Sequence, residues 1–266
     1  MTITRILPPR GAFRRLATAA SLSLFAILAI GCANVNRLHE AQTAFNQAAA
    51  AENTLRFDTK ASDAVASLGA VRGGYASALI SLDQLENSKA QTQLRKDGLW
   101  GTALTLKALS QWRLGQVEKA LTTALLASQS AGDQLYPRDR AVITALPGLI
   151  KTDQAYAKIF SNAPLSEVKA LLVDDNGAVA NIERARLQTD KDHPVQVYLI
   201  QAQLAAYRNY VVAVDRLKNH ASVAADDPAR LAANRQLKEL DRLLKAQSTG
   251  PSLVEYWVRV ATLDRP

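Results

Sequence analysis

Apolar residues follow two regimes along the chain. Leu16 to Ile30 is an unbroken run without a charged side chain. Beyond it, apolar positions recur every three or four residues, the period of one helical face. Leu38, Ala41, Phe45, Ala48 and Leu55 make the first such stripe, with Asn34 or Asn36 placed to cap its start. Leu99 to Gly132 reads as two helices joined at Leu114-Gly115-Gln116, where Gly115 supplies permissive backbone. Pro147-Gly148 predicts a kink or a break in the run from Arg138 to Phe160. Ser161-Asn162-Ala163-Pro164 ends that run ahead of a helix containing Val168 to Val173. Asp174-Asp175-Asn176-Gly177 then turns into a helix with Ile182 and Leu187. His193-Pro194 opens a helix from Val195 through Tyr207, and Asp227-Pro228 opens another bearing Leu231, Leu237, Leu240 and Leu244. Roughly a dozen helices result. Only Leu253–Leu263, rich in β-branched and aromatic residues, is ambiguous between helix and strand. The expected class is all-α.

Small residues sharpen this picture. Ala108 precedes Gly115 by two turns of helix, and Ala120, Ala124 and Ala127 follow it where two antiparallel helices must approach closely. Ala66, Gly73, Tyr75, Ala78, Leu82 and Leu85 repeat the spacing, which makes Gly73 a second expected turn. Ala41, Phe45 and Ala48 match its second half. Tyr210, Ala213 and Leu217 match more loosely, with Arg208 at the glycine position. The pattern resembles the tetratricopeptide repeat, a helix–turn–helix unit of about 34 residues. That resemblance implies an α-solenoid of antiparallel hairpins over residues 37–266, in which the first helix of each pair lines an inner groove. The tail residues Tyr256, Trp257 and Val260 suit a terminal cap on such a stack.

The uncharged run has a different meaning. Arg5, Arg10, Arg14 and Arg15 precede it, no acid does, and it closes on Leu28-Ala29-Ile30-Gly31-Cys32. A basic start, an apolar middle and a small residue at the cut form the pattern of a removed secretory signal. At about 22 Å as a helix, the run falls short of the roughly 30 Å hydrocarbon core. Ending on the chain's single cysteine, it resembles the bacterial lipoprotein signal, with Ala29 where that family usually carries Leu or Val. The resemblance implies removal of residues 1–31, triple acylation of Cys32 and a very short linker over residues 32–36. With Ala33 rather than Asp after the cysteine, it also implies the periplasmic face of the outer membrane.

Composition then narrows the function. The chain carries +8, but four arginines lie ahead of Cys32, so half of that balance leaves with the signal. The remaining excess is scattered and gives no nucleic-acid surface. With Cys32 acylated no thiol is left for a disulfide, so stability must come from packed apolar surface. Abundant alanine and leucine favour close-packed helices.

Chemistry is sparse. His39, His193 and His220 stand at unrelated places, without the spacing of zinc ligands. There is no Gly-x-Ser-x-Gly turn and no glycine-rich phosphate loop. The acid pairs Asp174/Asp175 and Asp226/Asp227 sit at turns or helix starts, where capping of free N–H groups is the expected role. No metal, cofactor or catalytic group is expected. What remains is a binding surface. Thr105, Leu109, Trp112 and Arg113 share one side of a helix and form the candidate partner groove. Trp112 either lines that groove or packs beneath the next repeat. The sequence thus reads as a membrane-anchored, non-enzymatic scaffold or assembly factor for an envelope protein. The alternative is a periplasmic helical protein that binds a small solute.

Overall fold

A computed structural model describes residues 33–52, 64–131, 135–217 and 228–247. Every regular element among them is helical, so the chain is all-α there. Helix α1 covers residues 33–52. It is followed by α2 (Ala64–Asp83), a single 3-10 turn (Gln84–Glu86), α3 (Ser88–Lys96), α4 (Trp100–Arg113) and α5 (Val117–Ala131). The second half holds α6 (Pro137–Phe160), α7 (Leu165–Leu172), α8 (Ala178–Leu187), α9 (Val195–Leu217) and α10 (Pro228–Gln247). No helix among the described residues is long and apolar enough to cross a membrane. Residues 1–32, with Cys32, and the tail Leu253–Leu263 lie outside the described residues, as do Leu55, His220 and Asp226/Asp227.

The hairpin of α4 and α5 forms as its sequence predicts. Gly115 has φ +79°. Its N–H donates to the Trp112 carbonyl at 2.9 Å, and the Gln116 N–H reaches the Gln111 carbonyl at 2.8 Å. These two bonds satisfy carbonyls that the end of α4 would leave open. An L side chain at that φ is strained, so Gly115→Ala is expected to cost about 1–2 kcal/mol, read as a lower urea midpoint. Beyond the turn, Ala108, Ala120, Ala124 and Ala127 are all buried between the two helices.

Other glycines and prolines depart from expectation. Gly73 makes no turn, because α2 runs through it without interruption. Tyr75, Ala78, Leu82 and Leu85 are nevertheless buried as the spacing required. The neighbouring Gly74 explains the pair: a Cβ there would stand 2.8 Å from the Ala48 Cβ, so it lets α2 close on α1. Pro147-Gly148 likewise causes no break, since α6 is one helix with the proline inside it. Ile143, Leu146 and Ile150 enter the cluster shared with α3, α4 and α5, whereas Ala141 and Ala145 enter another shared with α8 and α9. Burial on two sides outweighs the roughly 3 kcal/mol that an internal proline costs. Helix α9 similarly continues past Tyr207 to Leu217, through Arg208. Asn34 and Asn36 lie within α1 rather than ahead of it, so residues 33–36 are helix and not linker. In α10, Leu240 and Leu244 are buried, while Leu231 is 43% exposed.

Helices pack mainly on near neighbours in the chain: α4 on α5, α6 on α8, α9 on α8 and α10. One polar clasp adds to this. Lys107 of α4 is largely buried and meets Asp83 at 2.7 Å and Glu86 at 2.6 Å. Burial pulls its pKa down, but hydrogen bonds and charge from the two acids outweigh that and raise it above the ordinary 10.5. A raised lysine pKa stabilises the fold fully below the unfolded value and less as pH climbs through the folded one. Lys107→Met is therefore expected to lose about 1–2 kcal/mol near neutral pH. Denaturation series should show the gap to wild type closing as pH rises beyond 10.5.

Candidate functional site

Helix α4 presents Thr105, Leu109, Trp112 and Arg113 toward α1 and α6. Thr105 and Leu109 line a cavity of about 360 Å³ with Leu38 and Phe45 of α1, Val142 of α6 and Tyr198 of α9. Its lining is mostly apolar. Tyr198, 67% exposed, stands at the mouth. Thr105 is buried and spends its hydroxyl on the Gly101 carbonyl at 2.9 Å. It therefore offers a methyl group rather than a donor.

Polar groups gather at one end of this cavity. Asp139 is buried, and the Thr102 hydroxyl donates to its Oδ2 at 2.6 Å. Arg138 donates to Oδ1 through Nε and Nη2, each at 3.2 Å. The carboxylate also sits in the first turn of α6, where the helix dipole favours a negative charge.

Trp112 and Arg113 belong to a second, adjoining cavity of about 260 Å³, shared with Glu52 of α1, Val71 and Tyr75 of α2 and Asp153 of α6. The Arg113 guanidinium lies over the Trp112 ring, 4.2 Å from its centroid. It also spans to Glu52 at 3.5 Å and Asp153 at 3.7 Å. The Tyr75 hydroxyl donates to Glu52 at 2.6 Å. Trp112 is half-buried against the core cluster, so it both packs and lines a cavity. The four residues chosen from the sequence thus fall into two neighbouring chambers along one helix.

These contacts also fix direction. Leu38, Thr102, Asp139 and Tyr198, all near the starts of α1, α4, α6 and α9, surround the first chamber. Glu52, Arg113 and Asp153, all farther along, meet at the second. The helices facing the groove run parallel, while α2, α5 and α8 return between them.

A further cavity, about 690 Å³, lies elsewhere, between α6, α7, α9 and α10. Lys169 meets Asp174 at 3.1 Å, and that hydrogen bond and charge raise the lysine pKa. Lys151 donates to the Asn176 carbonyl. Tyr207, on the same wall, has its pKa raised by burial and by Glu183. Asp174 thus turns its carboxylate to a lysine, where the sequence suggested capping of a helix start. His193 does serve a helix: its Nδ1 accepts from the Val195 N–H at 3.1 Å, at the entry to α9. Among the described residues, no three His, Cys, Asp or Glu side chains stand close enough to hold a metal ion.

Gln42, Asn46, Asp139, Glu52 and Tyr198 complete the two chambers without a sequence signal that marks them as site residues. Asp139 carries the nearest hint, as an acid in the first turn after Pro137. Comparison with protein-family models, curated proteins and solved structures gives no match to the chain.

Proposed function

We propose that the chain is a lipoprotein acylated on Cys32 and held at the periplasmic face of the outer membrane, where it serves as a non-enzymatic scaffold for an envelope protein. In this reading the helical hairpins stack as a tetratricopeptide-like solenoid, and the groove between α1, α4 and α6 receives the partner. The supporting observation is the arrangement of Thr105, Leu109, Trp112 and Arg113. All four face the same groove, in two adjoining chambers, one apolar and one carrying an arginine stacked on a tryptophan. Aromatic and arginine anchors beside apolar pockets are the side chains that dominate protein interfaces. The parallel run of α1, α4, α6 and α9, with other helices returning between them, also supports the stacked-hairpin reading.

Photo-crosslinking in intact envelopes tests this. A photoreactive residue at Asn46 or Tyr198 should trap one and the same polypeptide, which the same residue at exposed Leu125 of α5 should not. Trapping of equal strength from position 125, or none from any position, would sink the proposal. Replacing Trp112 and Arg113 together is expected to abolish trapping with helical content unchanged. Loss of helicity would assign the pair to packing. The apolar lining of the first chamber favours one second reading, a small apolar solute in place of the protein. That reading requires a thermal shift with such solutes and no trapped polypeptide.

A further inference from the structure

The groove-facing helices share a direction, and that direction bears on how the molecule stands on a membrane. Ala33, the residue after Cys32, is already helical. Adjacent Cα atoms lie about 3.8 Å apart, so an acyl group on Cys32 would keep Ala33 close to the bilayer. The starts of α4, α6 and α9 lie at that same end, because Leu38, Thr102, Asp139 and Tyr198 surround one chamber. Helix α8 returns to it as well: Ala185 and Gln188 line a cavity of about 430 Å³ with Pro137 and Arg140 of α6. Two large exposed side chains are chain neighbours of residues that line this cavity, Tyr136 beside Pro137 and Leu187 beside Gln188. Tyr136 is 51% exposed and Leu187 is 72% exposed.

We infer that this end of the molecule, with Tyr136 and Leu187 at its surface, rests in the headgroup layer of the phospholipid bilayer. The inference rests on acylation of Cys32 under the proposed function and adds an orientation to it. Tyrosine suits such a site because its ring is apolar and its hydroxyl wet, and leucine reaches the acyl boundary beneath. Arg138, Arg140 and Lys191 stand at the same end, as do Asp190 and Asp192. Charge is therefore mixed there, and the apolar side chains carry the contact. A second contact beside the acyl chains would hold the body upright, with the groove running away from the membrane.

The full-length chain tests this in three variants, Tyr136→Cys, Leu187→Cys and Glu118→Cys. Glu118 is exposed in the first turn of α5, beside Gly115 at the opposite end. Each is labelled with bimane and reconstituted in phosphatidylethanolamine–phosphatidylglycerol vesicles, with and without dibrominated acyl chains. Bromine should quench the fluorophore at 136 and 187 several-fold more than at 118, with the circular dichroism of all three matching wild type. Equal quenching at the three sites overturns the inference. Maleimide labelling of the wild-type chain reports separately on Cys32. No labelling means an acylated sulfur, so equal quenching then counts against the orientation alone. Labelling of wild type would overturn the acylation and the orientation together.

Discussion

Trp100→Ala is expected to cost about 3–5 kcal/mol, the largest loss from any single truncation near the groove. Trp100 opens α4, is only 3% exposed, and packs in the cluster that joins α1, α3, α4, α5 and α6. The Arg95 guanidinium lies 5.5 Å from its ring centroid while donating to the Ser130 carbonyl at 2.7 Å, which ties α3 to α5 around the indole. Removing the ring opens a void beneath the groove. Trp100→Phe should behave differently. The indole Nε1 is buried without a hydrogen-bond partner among the described residues, a state that costs about 1–3 kcal/mol. Phenylalanine removes that penalty along with some apolar area, so a loss of about 1 kcal/mol or less is expected. Urea titration reads both values, provided the slope of the transition is unchanged. A phenylalanine variant as weak as the alanine one would mean that the indole nitrogen is engaged.

Gly148→Ala and Gly73→Ala are expected to move stability in opposite directions, although both place alanine inside a helix. At Gly148 a Cβ would stand 2.7 Å from the Ala178 carbonyl oxygen, 2.8 Å from Ile182 Cγ1 and 3.1 Å from Asn181 Cβ. The first of these is backbone, so no rotamer change relieves it and α8 has to shift. A loss of about 1–3 kcal/mol follows, in spite of alanine's better helix propensity. Gly148→Leu should be worse still. At Gly73 nothing lies within 4 Å of the added carbon. Only propensity acts there, and a gain of about 0.5–1 kcal/mol is expected. Thermal unfolding of the two variants beside wild type checks both signs. A destabilised Gly73→Ala would indicate a turn at that glycine.

Gly115 and Gly73 mark where sequence reading works and where it stops. Gly115 was legible because it separates two apolar stripes and because the helix before it needs partners for its last carbonyls. Gly73 carries the same spacing of alanines and leucines, yet α2 passes through it. Glycine serves a left-handed turn and a close helix contact equally well, and local pattern does not tell them apart. Pro147 was misleading for a related reason. Its local cost is real, but α6 is buried on two sides by residues that contact α4 and α8, far away in sequence. Thr105, Leu109, Trp112 and Arg113 were legible as one face of a helix. Their opposite wall was not, because Glu52, Asp153 and Tyr198 reach the groove only through the packing of α1, α6 and α9.

The outermost layer has its own consequence. Leu240 and Leu244 of α10 pack against Ile200 and Leu204 of α9, in a cluster separate from the one that holds α4. Opening that cluster leaves the buried residues around Trp100 untouched, so the molecule need not melt as a single cooperative block. Detachment of α10 alone is thus expected to leave the packing around Trp100 in place.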